Sequence, residues 1–169
     1  WDDKPTYLYP IVKKINEEVT ALSPILMKLR NIAVRHYGND NEYGPDLITI
    51  PVGTDAFSKK YDKYISEIKT VKGKNKGYIV SYFVNDQNVP YIMIVNKNHG
   101  ENISRKGAAV SVEIAFKETV NKLWQISPTD CSEGFIELKD HKLQTELDGG
   151  GFCIFKIEPI PEKKPDVKK

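Results

Sequence analysis

The side chains of this sequence that could take part in catalysis or metal binding are three histidines, two cysteines and many carboxylates. The histidines, His36, His99 and His141, are scattered, and none has a cysteine or carboxylate partner at a metal-ligand spacing. Neither a Gly-x-Ser-x-Gly motif nor a Cys/His nucleophile pattern occurs. The lysine-glycine run at 72–77 leads into a predicted strand, which indicates a solvated hairpin turn instead of a phosphate loop. The sequence therefore predicts no catalytic residue, no metal site and no cofactor.

Carboxylates raise the possibility of glycosidase chemistry, which needs two of them held roughly 5 to 10 Å apart in a cleft. Glu113 is the acid that falls firmly inside a predicted strand, and the alternation of that strand places it on the polar face. Buried acids without a partner are rare. An ordinary outward-facing residue is therefore favoured over a catalytic one.

Flat aromatic side chains could bind sugar rings by stacking. The candidates for such a platform are Tyr37, Tyr43, Tyr61, Tyr64 and Trp124. Aromatic residues at alternate positions of strands are, however, more often core residues or members of cross-strand pairs. Core packing is therefore the favoured interpretation, and a carbohydrate platform is the alternative.

Composition narrows the class of protein. The 169 residues, with 40 % hydrophobic content, suit one compact globular domain. The net charge of +2 is helped by terminal lysines and leaves no electrostatic footprint for nucleic-acid binding. Charges interrupt the apolar runs well short of the roughly 20 residues that a membrane-spanning helix needs. Trp1 indicates a processed protein or a fragment of a longer chain.

The two cysteines, Cys131 and Cys153, could pair or remain free. Free cysteine is among the residues most often buried, and Cys153 falls in a predicted strand. Two unrelated thiols, with Cys153 buried, are therefore the favoured interpretation.

A hairpin is the element around which the fold is expected to form. Two runs rich in β-branched and aromatic residues, 78–84 and 89–95, flank a polar turn. Alternate residues of the first run give two largely apolar faces, one of which contains Phe83. We therefore predict a central strand that is covered on both sides, with Phe83 in the core.

An amphipathic helix is predicted before the strands. Between residues 7 and 22, apolar residues recur at spacings of three and four; they are Leu8, Ile11, Val12, Ile15, Val19 and Leu22. Ser23 and Pro24 then form a helix start signal, which predicts two linked helices or one sharply kinked helix ending near Arg30. The apolar stripe is wide, so it needs a surface to cover it.

The pattern of the remaining sequence predicts strands. A short strand at 31–37 is followed by a turn-rich connection with at most an edge strand at 48–52. Further strands fall, besides the hairpin, at 64–71, 108–116, 120–126, 134–138, 142–147 and 151–157. The prediction is a mainly β chain, in which a helical segment at 1–30 and a linker with short strands at 31–60 precede an antiparallel β-sandwich at 61–160 and a loose tail at 161–169.

Four segments of the sequence resemble a known family. They are INEEVTALSPILMKL, NIAVRHYG, GYIVSYFVNDQNVPYIMIVNKN and LDGGGFCIFKI. Their order is similar to that in the C-terminal part of large glycoside hydrolases of the β-galactosidase-like group of gut bacteria. In those enzymes a catalytic (β/α)8 barrel is followed by an antiparallel β-sandwich, and the resemblance covers residues 15–157.

The resemblance implies that residues 7–29 are the last helical element on the barrel side, and that the catalytic carboxylates lie on barrel strands outside this sequence. No catalytic residue is therefore carried over. The resemblance also implies a bacterial protein of the periplasm or the extracellular space. We expect a non-catalytic accessory module that packs against and stabilises the catalytic barrel of a carbohydrate-active enzyme. The alternatives are a free-standing carbohydrate-binding or adhesion module and, third, a hydrolase in its own right.

Overall fold

The computed structural model describes residues 9–37, 53–56, 58–60, 62–74, 77–98 and 103–161. The helix α1 spans Tyr9–Leu26. The strands are β1 Arg30–Tyr37, β2 Asp55–Ala56, β3 Ile65–Lys72, β4 Tyr78–Val84, β5 Pro90–Asn96, β6 Val110–Phe116, β7 Val120–Ile126, β8 Glu133–Ile136, β9 Lys142–Leu147 and β10 Phe152–Pro159. Predictions for residues 1–8, 38–52 and 162–169 lie outside the described residues. Within the described ranges, no helix combines the length and apolarity needed to cross a bilayer.

The strands form two sheets. A seven-stranded sheet has the order β2-β1-β4-β5-β10-β7-β8, and a three-stranded sheet has the order β3-β6-β9. All the pairings are antiparallel except that of β1 with β2, which is parallel over two residue pairs. Side chains from both sheets, among them Tyr78, Phe155 and Ile114, share one buried core. The predicted mainly β, sandwich-like fold with an N-terminal helix is confirmed.

The hairpin of β4 and β5 lies in the middle of the larger sheet, as predicted, and its register is continuous over seven residue pairs. Asn85 organises the turn, because its Oδ1 accepts the backbone N–H of Gln87 at 3.0 Å and that of Val89 at 2.9 Å. Asn88 has a φ of 59°, a left-handed conformation that asparagine tolerates better than most residues. The polar turn therefore fixes the register that the two apolar runs require.

The two faces of β4 are covered by different parts of the molecule. Tyr78, Val80 and Tyr82 belong to the buried core between the sheets. Phe83 points the opposite way and is only half-buried, in a second cluster that includes Leu22 of α1. Both faces of β4 are covered, as predicted, but Phe83 is only partly buried, because a single helix covers the outer face less completely than a second sheet would.

One helix, which ends at Leu26, is present where the sequence predicted either two linked helices or one sharply kinked helix ending near Arg30. Pro24 lies within the last turn of α1, where its missing N–H leaves the carbonyl of Thr20 without the usual backbone donor. The hydroxyl of Ser23 donates to that carbonyl at 2.8 Å instead. The helix therefore continues through Pro24, and the prediction of a new helix start at Ser23 is wrong.

The C-terminal half of α1 fastens the helix to the larger sheet. Leu22 is 3 % exposed and packs with residues from the outer faces of β5, β7 and β10. The Sγ of Cys131 donates to the backbone carbonyl of Ala21 at 2.8 Å. Arg105 and Glu18, one turn before Leu22, form an ion pair at 3.9 Å. The helix is thus part of the folded unit, although its first turns extend beyond these contacts.

Candidate functional site

The structure describes most of the residues that the sequence offered for catalysis and metal binding. Among the described residues, no group of three or more His, Cys, Asp or Glu side chains could hold a metal ion. His36 lies on β1 and His141 in the turn before β9, whereas His99 lies outside the described residues. Glu113 is half-buried on β6, where its Oε1 accepts a hydrogen bond from Lys142 Nζ at 3.0 Å. This bond raises the pKa of Lys142. Glu113 is thus one partner of an ordinary surface ion pair.

Both cysteines are free thiols, as the favoured interpretation predicted. Cys153 is buried in β10, and burial raises the pKa of its thiol to about 12. Such a thiol remains protonated and unreactive at neutral pH. Cys131 is half-buried beside α1 and contributes to the attachment of the helix.

Asp62 forms a buried polar cluster that the sequence analysis did not identify. Its side chain has no exposed surface. Oδ1 accepts the backbone N–H groups of Tyr64 at 2.9 Å and Ile65 at 2.7 Å. Oδ2 accepts hydrogen bonds from Nη1 of Arg35, at 2.8 Å, and from the hydroxyl of Tyr82. Four donors thus converge on one carboxylate.

The Asp62 cluster connects the two sheets. Asp62 precedes β3 of the smaller sheet, whereas Arg35 and Tyr82 lie on β1 and β4 of the larger one. Burial, reinforced by the hydrogen bond to Asp62, raises the pKa of Tyr82 well above its usual value of 10.0. A catalytic acid or base has to come within hydrogen-bond reach of a substrate, and this carboxylate is closed off from solvent. The cluster is a structural connection.

The part of α1 from Tyr9 to Val19 is a candidate interaction site. Tyr9 is 55 % exposed, Val12 51 %, Ile15 47 % and Val19 56 %. These four residues recur at spacings of three and four and are called the helix stripe below. Leu22, which the sequence placed on the same stripe, is buried against the sheet. Leu8 and the side chain of Ile11 lie outside the described residues.

A groove of about 440 Å³ runs beside the helix stripe. Ile15 and Val19 line it on the helix side, and Met93 and Phe152 line it on the side of the larger sheet. Gly150, in the turn before β10, lies at one end. The groove and the helix stripe together form an apolar surface large enough to receive side chains from a partner.

The outer face of the larger sheet carries a second candidate site near its β8 edge. The strand registers place Tyr91, Lys156, Trp124 and Phe135 side by side on β5, β10, β7 and β8. The ring centroids of Trp124 and Phe135 are 5.9 Å apart, and Phe135 is 61 % exposed. Lys156 Nζ lies 5.2 Å from the Trp124 centroid. These four residues are called the aromatic row below.

Trp124 is the predicted platform residue that belongs to the aromatic row. Tyr64 is buried in the core, and Tyr37 packs against Tyr78 at a centroid distance of 6.2 Å, as the core and cross-strand interpretation predicted. Tyr43 and Tyr61 lie outside the described residues. Sequence reasoning did not identify Phe135, although its position in a predicted strand was a usable signal.

Comparisons of the chain with protein-family models, curated proteins and solved structures find no match. The proposed function therefore rests on the fold, the helix stripe and the aromatic row.

Proposed function

We propose that this chain is a non-catalytic accessory module of a glycoside hydrolase, and that its helix stripe packs against the catalytic barrel. The observation that carries the proposal is the half-exposed apolar stripe on a helix whose last turns pack against the sandwich. The four family-like segments suggest the class of enzyme. They also suggest a periplasmic or extracellular location. The pairing of Glu113 with Lys142 supports a non-catalytic role.

The size of the helix stripe favours a partner within the same chain. Burying the exposed parts of four such side chains would stabilise an interface by roughly 3 to 6 kcal/mol. Association of two separate proteins has to offset an estimated 4 kcal/mol or more of lost translational and rotational freedom. A covalently linked partner has a high effective concentration, so a patch of this size is sufficient. These magnitudes suit a domain of the parent enzyme.

A free-standing carbohydrate-binding module is the second candidate function. The observation that favours it is the contact of Trp124 with Phe135, which is 61 % exposed, because an exposed aromatic ring can stack on a sugar. A free-standing module would, however, leave the helix stripe in contact with water. The accessory role accounts for the stripe and is therefore preferred.

Activity of the complete gene product provides the test. The protein made from the complete coding sequence should hydrolyse an aryl glycoside, and this chain alone should not. Replacing Val12 and Val19 by Glu together should lower the temperature at which the complete protein loses activity, because charges would enter the interface. The same two changes should leave the melting temperature of this chain alone nearly unchanged.

Val71→Glu is the matched control, since Val71 is 53 % exposed on β3, away from the helix. It should affect neither the complete protein nor the isolated chain. A coding sequence without a catalytic domain, hydrolysis by this chain alone, or a stripe variant as heat-resistant as the parent would each overturn the proposal.

A further inference from the structure

A cleft of about 360 Å³ opens beside the aromatic row, between the end of α1, the β4–β5 turn and the start of β8. Its lining includes Lys28, Asp86, Gln87, Tyr91 and Glu133. Tyr91 belongs to both features, since it is the first member of the aromatic row. The cleft and the row are thus one continuous surface.

Several polar groups of the cleft have unused hydrogen-bonding capacity. The side chains of Lys28, Asp86 and Gln87, and the hydroxyl of Tyr91, form no hydrogen bond or ion pair with any residue that the structure describes. Tyr91 is only 8 % exposed, and burial raises the pKa of its hydroxyl, which therefore remains a donor. Donors and acceptors that converge on one concave surface suit a ligand with many hydroxyl groups.

The charges around the cleft balance. Lys28 and Lys156 are positive, and Asp86 and Glu133 are negative. Lys156 Nζ lies 2.6 Å from Glu133 Oε2 and connects the cleft to Trp124. A surface with mixed, balanced charge offers no net attraction to an anionic or a cationic ligand. It favours a neutral polar one.

The aromatic row supplies an apolar contact next to these polar groups. Phe135 and Glu133 are two residues apart on β8, so they share one face and lie about 7 Å apart along the strand. Phe135 presents most of its ring to solvent. Sugar rings combine apolar C–H surfaces with hydroxyl groups, and an aromatic ring beside free polar groups complements both.

We propose that the cleft and the aromatic row bind a neutral oligosaccharide. One pyranose ring stacks on Phe135, and the hydroxyl groups of adjoining sugars bond to Glu133, Asp86 and Tyr91. This site lies apart from the helix stripe, so it goes beyond the accessory role and does not depend on it.

Titration of the ¹⁵N-labelled chain with cellohexaose, xylohexaose, maltohexaose and β-1,4-galactohexaose tests the proposal. At least one hexaose should shift the amide resonances of residues 85–91, 123–126 and 133–136 in a saturable manner, without affecting β3, β6 or β9. Phe135→Ala should weaken that binding at least about tenfold. Glu133→Gln should weaken it as well, because a carboxylate accepts stronger hydrogen bonds than an amide.

Tyr9→Ala is the matched control, because Tyr9 is an exposed aromatic residue on the helix stripe. It should leave the dissociation constant unchanged. The spectra themselves report whether each variant is folded. The proposal is overturned if no hexaose gives saturable shifts at millimolar concentration, if the shifts map to the helix stripe, or if Phe135→Ala and Glu133→Gln both bind like the parent.

Discussion

Asp62 is a buried acceptor of four hydrogen bonds. Its two carboxylate oxygens serve two backbone N–H groups at the start of β3 and two side chains of the larger sheet. Lys117 adds a further bond, to the backbone carbonyl of the same residue. Removing one partner from a buried charged network leaves the others unpaired, and this loss is larger than the net value of the pair.

Asp62→Asn should lower the free energy of unfolding by about 3 to 5 kcal/mol. The new amide NH₂ would face either the two backbone donors or the pair formed by Arg35 and Tyr82, and either placement sets donors against donors. Urea melts of the variant and the parent would measure the change. Glu113→Gln removes an acid from an exposed pair and should leave the midpoint unchanged. Similar midpoints for Asp62→Asn and Glu113→Gln would contradict a structural role for Asp62.

The helix α1 is an element with two functions along its length. Its last turns, from Leu22 onward, belong to the fold, whereas the helix stripe, from Tyr9 to Val19, contributes little to it. Leu22→Ala should therefore lower the free energy of unfolding of this chain by about 2 to 5 kcal/mol. Val19→Ala, one turn earlier, should stay within about 0.5 kcal/mol. Equal losses in denaturant melts would mean that the stripe is covered by the chain itself.

Periodic elements could be predicted from the sequence, and elements that depend on distant partners could not. Alternating apolar residues mark the buried face of β6, and two apolar runs around a polar turn mark the β4–β5 hairpin. The bounds of these strands were therefore predicted to within two residues. The continuation of α1 through Pro24 depends on one hydroxyl bond from Ser23, which no start signal reveals. The two-residue strand β2 is too short to show any period.

The functional surfaces were harder to predict from the sequence than the fold. The apolar stripe was visible, but whether it would be covered depended on where the sheet ends beneath the helix. Asp62 precedes a strand in the manner of an Asx turn, yet Arg35 and Tyr82 are 27 and 20 residues away. The aromatic row arises from three strand pairings, and two of them, β5 with β10 and β7 with β10, join strands that are far apart in the sequence.

At the scale of the whole molecule, buried polar groups join the two sheets at opposite ends of β4. The Asp62 cluster lies at one end. Near the other, Nδ2 of Asn96 lies 3.1, 3.2 and 2.9 Å from the backbone carbonyls of Ala108, Leu147 and Asp148. The sandwich is therefore fastened independently of the helix stripe, and it can present that stripe to a partner without rearranging.

Hydrogen exchange of residues 9–20, compared between this chain and the complete gene product, is the most direct test of the accessory role. In the isolated chain these amides should exchange quickly, because few buried contacts protect the first turns of α1. In the complete protein they should exchange at least about tenfold more slowly, while peptides from β6 should be equally protected in both. Equal exchange of residues 9–20 in the two proteins would contradict the claim that the helix stripe packs against a catalytic domain.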